Sequence, residues 1–158
     1  MFCHGKLSRL MQPMATMTVD ELLDEFDELL DWEERCDYLI DLGFELPKMA
    51  DEYKTDENFV HGCQSNVWLY ASMSDDPTPV MHLTADSDAM IVRGLIAVLL
   101  TVYSGRTAEE ILDTDINEIF EKLGLNTHLS STRRNGLHGM VQRVRALAEQ
   151  AATDRREP

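Results

Sequence analysis

Apolar residues fall at helical spacing in the first part of the chain: Leu22, Leu23, Phe26, Leu29 and Leu30 form one stripe with acidic residues between them. Thr18 followed by Glu21 is a capping-box pair, which predicts where this helix starts. Asp31 with Glu34 restarts the pattern, and Trp32, Cys36, Leu39 and Ile40 line the buried side of a second helix. Gly43 is the expected left-handed residue closing that helix, and Pro47 blocks continuation. These two segments predict a helical hairpin.

The polar run "DEYKTDEN" predicts a loop, followed by a short strand at Phe59 and Val60. "SNVWLYASM" and "VMHLTA" read as strands joined by the turn "SDDPTP", hence an antiparallel hairpin. Asp86 or Ser87 is the expected cap of the next helix. "DAMIVRGLIAVLLTVYSG" is apolar on nearly every face, which predicts a helix buried in the middle of the domain. Gly94 inside it costs about 1 kcal/mol relative to alanine, and close packing against the sheet is its expected use. Thr107 with Glu110 opens a short helix, Asp115 opens another that ends at Gly124, and "STRRNGLHGMVQRVRALAEQAA" predicts a long amphipathic one. Leu137, Met140, Val141, Val144 and Leu147 share its apolar face. The expected class is α+β: a small antiparallel sheet of about three strands covered by helices. Residues 18–152 read as one domain, 1–17 as a disordered leader and 153–158 as a disordered tail.

Charge and cysteine content narrow the function. Fourteen Lys and Arg against 29 Asp and Glu give a net charge of −15 over 158 residues, which disfavours phosphate backbones and anionic lipid surfaces. Nucleic acid and membrane are therefore not expected partners. No stretch approaches the roughly 18 continuous apolar residues of a membrane span. The segment "MFCHGKLSRLMQPMATM" lacks the apolar core of a secretory signal. Cys3, Cys36 and Cys63 are odd in number, widely spaced and free of any CxxC, which is neither a disulfide framework nor a zinc ribbon. The cysteine usage suits a reducing compartment, and a cytoplasmic location is expected.

Cys63 is the candidate for chemistry. A lone cysteine is most often a small buried hydrophobe, and Cys36 fits that reading on the apolar side of its helix. Cys63 instead follows Gly62 and precedes Gln64, Ser65 and Asn66, a turn that brings a thiol to the surface or to the edge of a shallow pocket. A thiolate needs a nearby cation, helix N-terminus or hydrogen-bond donor. His61, two residues earlier, is either a base or a solvated side chain. Arg133 and Arg134 open the last helix, where cations oppose the macrodipole; they are either solvated or committed to another role. His61 with Cys63 is half a metal site, but His82, His128 and His138 lie far along the chain, and no metal or resident cofactor is expected.

"FVHGCQSNVWLY", "DSDAMIVRGLIAVLLTVYSGRT", "LGLNTHLSSTRRNGLHGMVQRV" and, upstream, "DWEERCDYLIDLGFELP" closely resemble the SufE family of sulfur-acceptor proteins, from about Val19 to Ala148. The resemblance implies a compact fold similar to the IscU scaffold proteins. It also implies a persulfide carrier that takes sulfur from a SufS-type cysteine desulfurase, stimulates it, and passes sulfur to the SufBCD scaffold for iron–sulfur cluster assembly. Such a protein is a sulfurtransferase-like activator rather than a stand-alone enzyme. The acceptor maps to Cys63 and the motif arginine to Arg133, with Gln64 and Asp88 in support. His61 stands where relatives commonly carry a less basic residue, so its part is not implied. Ser131 replaces a frequent proline. A CsdA-type partner and a homodimer both stay open. A resting persulfide is expected to fold back into a shallow cavity lined partly by apolar residues near Trp68, where Arg133 holds the anion or fixes the loop. The competing readings are a non-catalytic or cluster-binding module of the IscU type, which the lack of further cysteines near Cys63 disfavours, and a thiol peroxidase-like redox enzyme, which lacks a placed resolving cysteine.

Overall fold

The computed structural model describes residues 17–62 and 64–156; most of the leader, along with Cys3, lies outside them. Helix α1 (Val19–Asp27) is capped by Thr18, whose Oγ1 accepts from the Glu21 amide at 3.1 Å. Helix α2 (Trp32–Glu45) starts at Asp31, which accepts from Glu34 N at 2.9 Å, while the Glu34 carboxylate reaches back to Leu30 N at 2.7 Å. After a 3-10 turn at Asp51–Tyr53 come strands β1 (Val67–Met73) and β2 (Met81–Ser87), antiparallel with Val67 opposite Ser87 and Met73 opposite Met81. Then follow α3 (Met90–Tyr103), α4 (Ala108–Asp113), α5 (Ile116–Leu123), the single turn α6 (Leu125–His128) and α7 (Ser131–Arg156). Thr107 and Glu110 make the full reciprocal capping box at α4, and Gly124 ends α5 in the left-handed region. The α+β class read from the pattern is what the chain adopts.

Helix α3 is the axis. Every residue from Val92 to Tyr103 is buried, because α2, β2 and α7 surround it. Helix α7 crosses beside β1 and packs on α4, and its run to Arg156 enters the stretch read as a tail.

Four expectations are corrected. The sheet has two strands among the described residues, not three. Phe59 makes only an isolated bridge to Trp68, since the chain turns away at His61–Gly62. Gly43 does not end α2; it lies inside the helix, where a Cβ would come within 2.8 Å of the Met90 carbonyl oxygen. Gly94 packs against that helix and not the sheet: a Cβ there would overlap the Leu39 backbone. The two glycines together let α2 and α3 cross with their backbones nearly touching. Neither Asp86 nor Ser87 caps α3. Its N-cap is Ala89, without a side-chain bond, because both earlier residues belong to β2.

Asp86 is instead a buried ion. Its carboxylate accepts from Met49 N at 3.0 Å, from Ser87 N at 2.8 Å and from the Arg93 guanidinium, with Lys54 Nζ at 3.7 Å. Arg93 also donates from Nε to the Gly43 carbonyl at 3.0 Å and from Nη2 to that of Leu46. One guanidinium thus ties α3 to β2 and to the C-terminal end of α2.

Candidate functional site

Position 63 sits in a short loop between Val60, which is buried, and the start of β1. Cys63 itself lies outside the described residues, so the site is defined by its neighbours. Gly62 has φ +92°, a conformation that disfavours any residue with a Cβ. On the far side, Asn66 is latched to Asp88: Asn66 N and Nδ2 donate to the two carboxylate oxygens at 3.2 and 2.9 Å, and Asp88 N donates back to Asn66 O at 3.4 Å. Beneath, α7 offers Gly139, where a Cβ would lie 3.4 Å from the His61 carbonyl oxygen. A small residue there lets the loop rest on the helix.

Next to the loop is a pocket of about 60 Å³, enough for one or two water-sized groups. Gln64 and Ser65 come from the loop, Val92 and Leu95 from α3, and Thr132, Arg133, Gly136, Leu137 and Met140 from α7. Its floor is apolar and its rim polar. The rim also lies at the N-terminal end of α7, where the helix dipole favours an anion, while Ser130 Oγ accepts from the Arg133 amide at 3.3 Å.

The two arginines differ. Arg134 donates from Nη1 to the Asn126 carbonyl at 2.8 Å and braces the α6–α7 turn. Arg133 is exposed, lines the pocket and donates no side-chain hydrogen bond to any described residue. No acid occupies the first turn of α7 to offset its charge. Burial pushes the Cys36 thiol above its ordinary value, Arg133 pulls against that, and Asp37 and Glu33 push it further up. Cys36 is half-buried on α2 and lies outside the core expected for it.

Of the residues singled out from sequence, Gln64 and Arg133 line one pocket, while Asp88 holds Asn66 two residues further along the loop. His61 is exposed, with its ring edge-on to Phe59 at 5.0 Å. Trp68 does not line the pocket. It lies on the outer face of the sheet, against Phe59 at 6.0 Å and under the Lys54 ammonium at 5.3 Å. Strand alternation puts it opposite the inward-facing Val67 and Leu69. The cavity is lined partly by apolar residues as expected, but these are Val92, Leu95, Leu137 and Met140 rather than neighbours of Trp68, and the seat that Gly139 gives the loop has its signal in the spacing of Gly136 and Gly139 on one helix face. Among the described residues no three His, Cys, Asp or Glu side chains converge to hold a metal ion, and no helix is long and apolar enough to cross a membrane.

Residues 20–148 match the family model for SufE, the Fe-S metabolism associated domain. The chain belongs to the SufE family. A SufE-like protein of Rhizobium etli is 50% identical over 133 residues, covering 84% of this chain and 90% of that one. A SufE-like protein of Rhizobium meliloti is 44% identical over the same length, covering 84% and 95%. The solution structure of a hypothetical protein from Thermus thermophilus superimposes with a TM-score of 0.68 at 20% identity, over 87% of this chain and 99% of that one; it bears on the fold. SufE membership supports a role in sulfur transfer for iron–sulfur metabolism.

The Asp88 latch gives this SufE-family site a direct test. Asp88→Ala removes two of the three bonds holding Asn66. These groups are exposed, so stability should fall by only about 1 kcal/mol. A loop equilibrium shifted by that amount opens about fivefold more often, and iodoacetamide should label Cys63 correspondingly faster. An unchanged labelling rate would show that Asp88 does not restrain the loop.

Proposed function

We propose that Cys63 is the acceptor of sulfane sulfur delivered by a SufS-type cysteine desulfurase, and that the protein carries it as a persulfide to the SufBCD scaffold. The Cys63 thiolate attacks the terminal sulfur of the donor persulfide, R–S–SH. A new S–S bond forms to Cys63, the donor S–S bond breaks, and the donor cysteine leaves as a thiolate. The proton stays on the transferred sulfur, so no cofactor, oxidant or reductant is consumed. The observation that carries this reading is the Arg133 guanidinium, which donates to no described residue, on the rim of a pocket formed partly by Gln64, the residue after Cys63. A cation and a helix N-terminus at one point favour an anionic sulfur there. The apolar floor of Val92, Leu95, Leu137 and Met140 shelters it from other thiols. The loop is held by exposed bonds at one end and by a glycine at the other, so it can leave the pocket at small cost.

Incubation with a desulfurase and free cysteine should add the mass of one sulfur atom to the intact chain, removable by a reductant. Cys63→Ser should abolish the adduct. Arg133→Ala should slow its formation while leaving the far-UV circular dichroism unchanged. An adduct that persists in Cys63→Ser would refute the acceptor assignment, and unchanged kinetics in Arg133→Ala would remove that residue from the site.

A further inference from the structure

At the other end of β1 the fold leaves an edge uncovered. In this hairpin the odd-numbered residues of β1 direct their backbone groups away from β2. Leu69 N donates to Asn58 O, and Val60 N donates to Val67 O, both at 2.8 Å. Residues 58–60 thus cover the first half of β1, and this segment also meets α7, where Arg143 donates to the Glu57 carbonyl. The covering chain stops there. Past it, the amides and carbonyls of Ala71 and Met73 face the same edge, and no described residue pairs with them. The far edge of β2 is closed at Met81 and Leu83 by Ser104–Arg106: Leu83 N donates to Ser104 Oγ, Met81 N to Arg106 O, and Gly105 N to Met81 O.

Beside the open half lies a second cavity, of about 360 Å³, between β1 and the C-terminal part of α7. Ala71, Met73, Met81, Leu147 and Ala151 make it mostly apolar, and Asp154 marks its rim. It is the continuation of the slot that residues 57–60 fill further along. Met73 is 40% exposed at its mouth. The usual protections of an edge strand, a lysine, a proline or an inward charge, are missing from Val67–Met73. From Val67 to Met73 is about 20 Å along the strand, and from Leu137 to Ala151 is about 21 Å along α7, so this slot is well separated from the Cys63 loop.

We propose that the Ala71–Met73 edge and this cavity bind an extended peptide segment of a partner protein as an added strand. Two backbone amides and their carbonyls supply the ladder bonds, and the cavity takes an apolar side chain from alternate peptide positions. Asp154, exposed Asp75 and Asp76 in the adjoining turn, and the net charge of −15 select a segment whose outward residues are lysine or arginine. A partner held here leaves the Cys63 loop uncovered, so a carrier can stay bound to one protein while its loop meets another.

The probe is a fluorescent eight-residue peptide of alternating lysine and leucine, with blocked ends, titrated into the full-length protein. Saturable binding is expected, with amide shift changes centred on Ala71 and Met73. The same peptide with serine for leucine should not bind. Met73→Pro removes one edge donor without touching a bond to β2, and should weaken binding at least about tenfold. Ala151→Phe fills the cavity from α7 and should do the same, which keeps the test valid if the proline variant misfolds. Sulfur acceptance should be unchanged in both variants. The proposal is overturned if the serine peptide binds equally well, if both variants bind as the parent does, or if the Ala71 and Met73 amides are already protected from exchange in the free protein, as they would be with the edge covered in cis.

Discussion

Replacing Arg93 with methionine should lower stability by about 3–5 kcal/mol, the loss typical of breaking one side of a buried ion pair. Arg93 is 8% exposed and Asp86 2%, so water cannot replace what either loses. In the variant the Asp86 carboxylate keeps the Met49 and Ser87 amides and the more distant Lys54, while the Gly43 and Leu46 carbonyls lose their donor. Methionine is of similar length and fills the space, which isolates the electrostatic loss from a packing loss. Lysine should rescue only in part, because a single ammonium cannot reach three acceptors held in a fork. By urea denaturation the midpoint should fall by roughly 2 M with little change in slope. A loss below about 1 kcal/mol would mean that the pair is replaceable, as some buried pairs are. The result bears on the site, since Asp86 lies two residues before Asp88 and the segment leading to the Cys63 loop hangs from the Met49 and Lys54 contacts.

The helices were readable where the signal is local. Thr18, Asp31, Thr107 and Asp115 each cap the helix that their spacing predicts, because a cap bond spans only three residues. The buried central helix followed from its unbroken apolar character. What escaped depends on partners distant in the chain. Gly43 looks like a helix terminator until Gly94 is known to lie against α2. Asp86 looks like a cap until Arg93, seven residues on, is seen to turn back to it. Alternation predicted that Trp68 and Leu69 face opposite ways, but not which of them faces the core. At the site, Gln64, Asp88 and Arg133 were named from motif resemblance. Their placement has a physical account: Asp88 follows the end of β2 and holds Asn66 of the loop, while Gln64 of the loop and Arg133 at the start of α7 line one pocket. Arg133 and Arg134 are equivalent by spacing, and only the carbonyl of Asn126, which occupies one of them, separates their roles.

Gly94→Ala sets two effects of opposite sign against each other, and the destabilising one should win. Alanine in a helix interior is favoured over glycine by about 1 kcal/mol. Against this, the added methyl would overlap the Leu39 carbonyl group, with Leu39 Cβ only 3.0 Å away. These are backbone atoms inside α2, so no side-chain rotation relieves the clash and the two helices must separate. Overpacking of this kind costs about 1–3 kcal/mol, more where the neighbours are rigid, and a net loss of at least about 2 kcal/mol is expected. Separation also has a geometric consequence. Val92 and Leu95, on the same helix as Gly94, form the floor of the pocket, while Cys36 rides on α2 within range of Arg133. Moving α2 outward should expose Cys36, so its alkylation should quicken along with the drop in thermal midpoint. Gly43→Ala, on the other side of the same crossing, should act in the same direction with a smaller effect, since its Cβ would meet the Met90 carbonyl oxygen at 2.8 Å. Stability equal to or above that of the parent in Gly94→Ala would show that α2 and α3 can part without loss, and that their close crossing is not what holds the pocket floor in place.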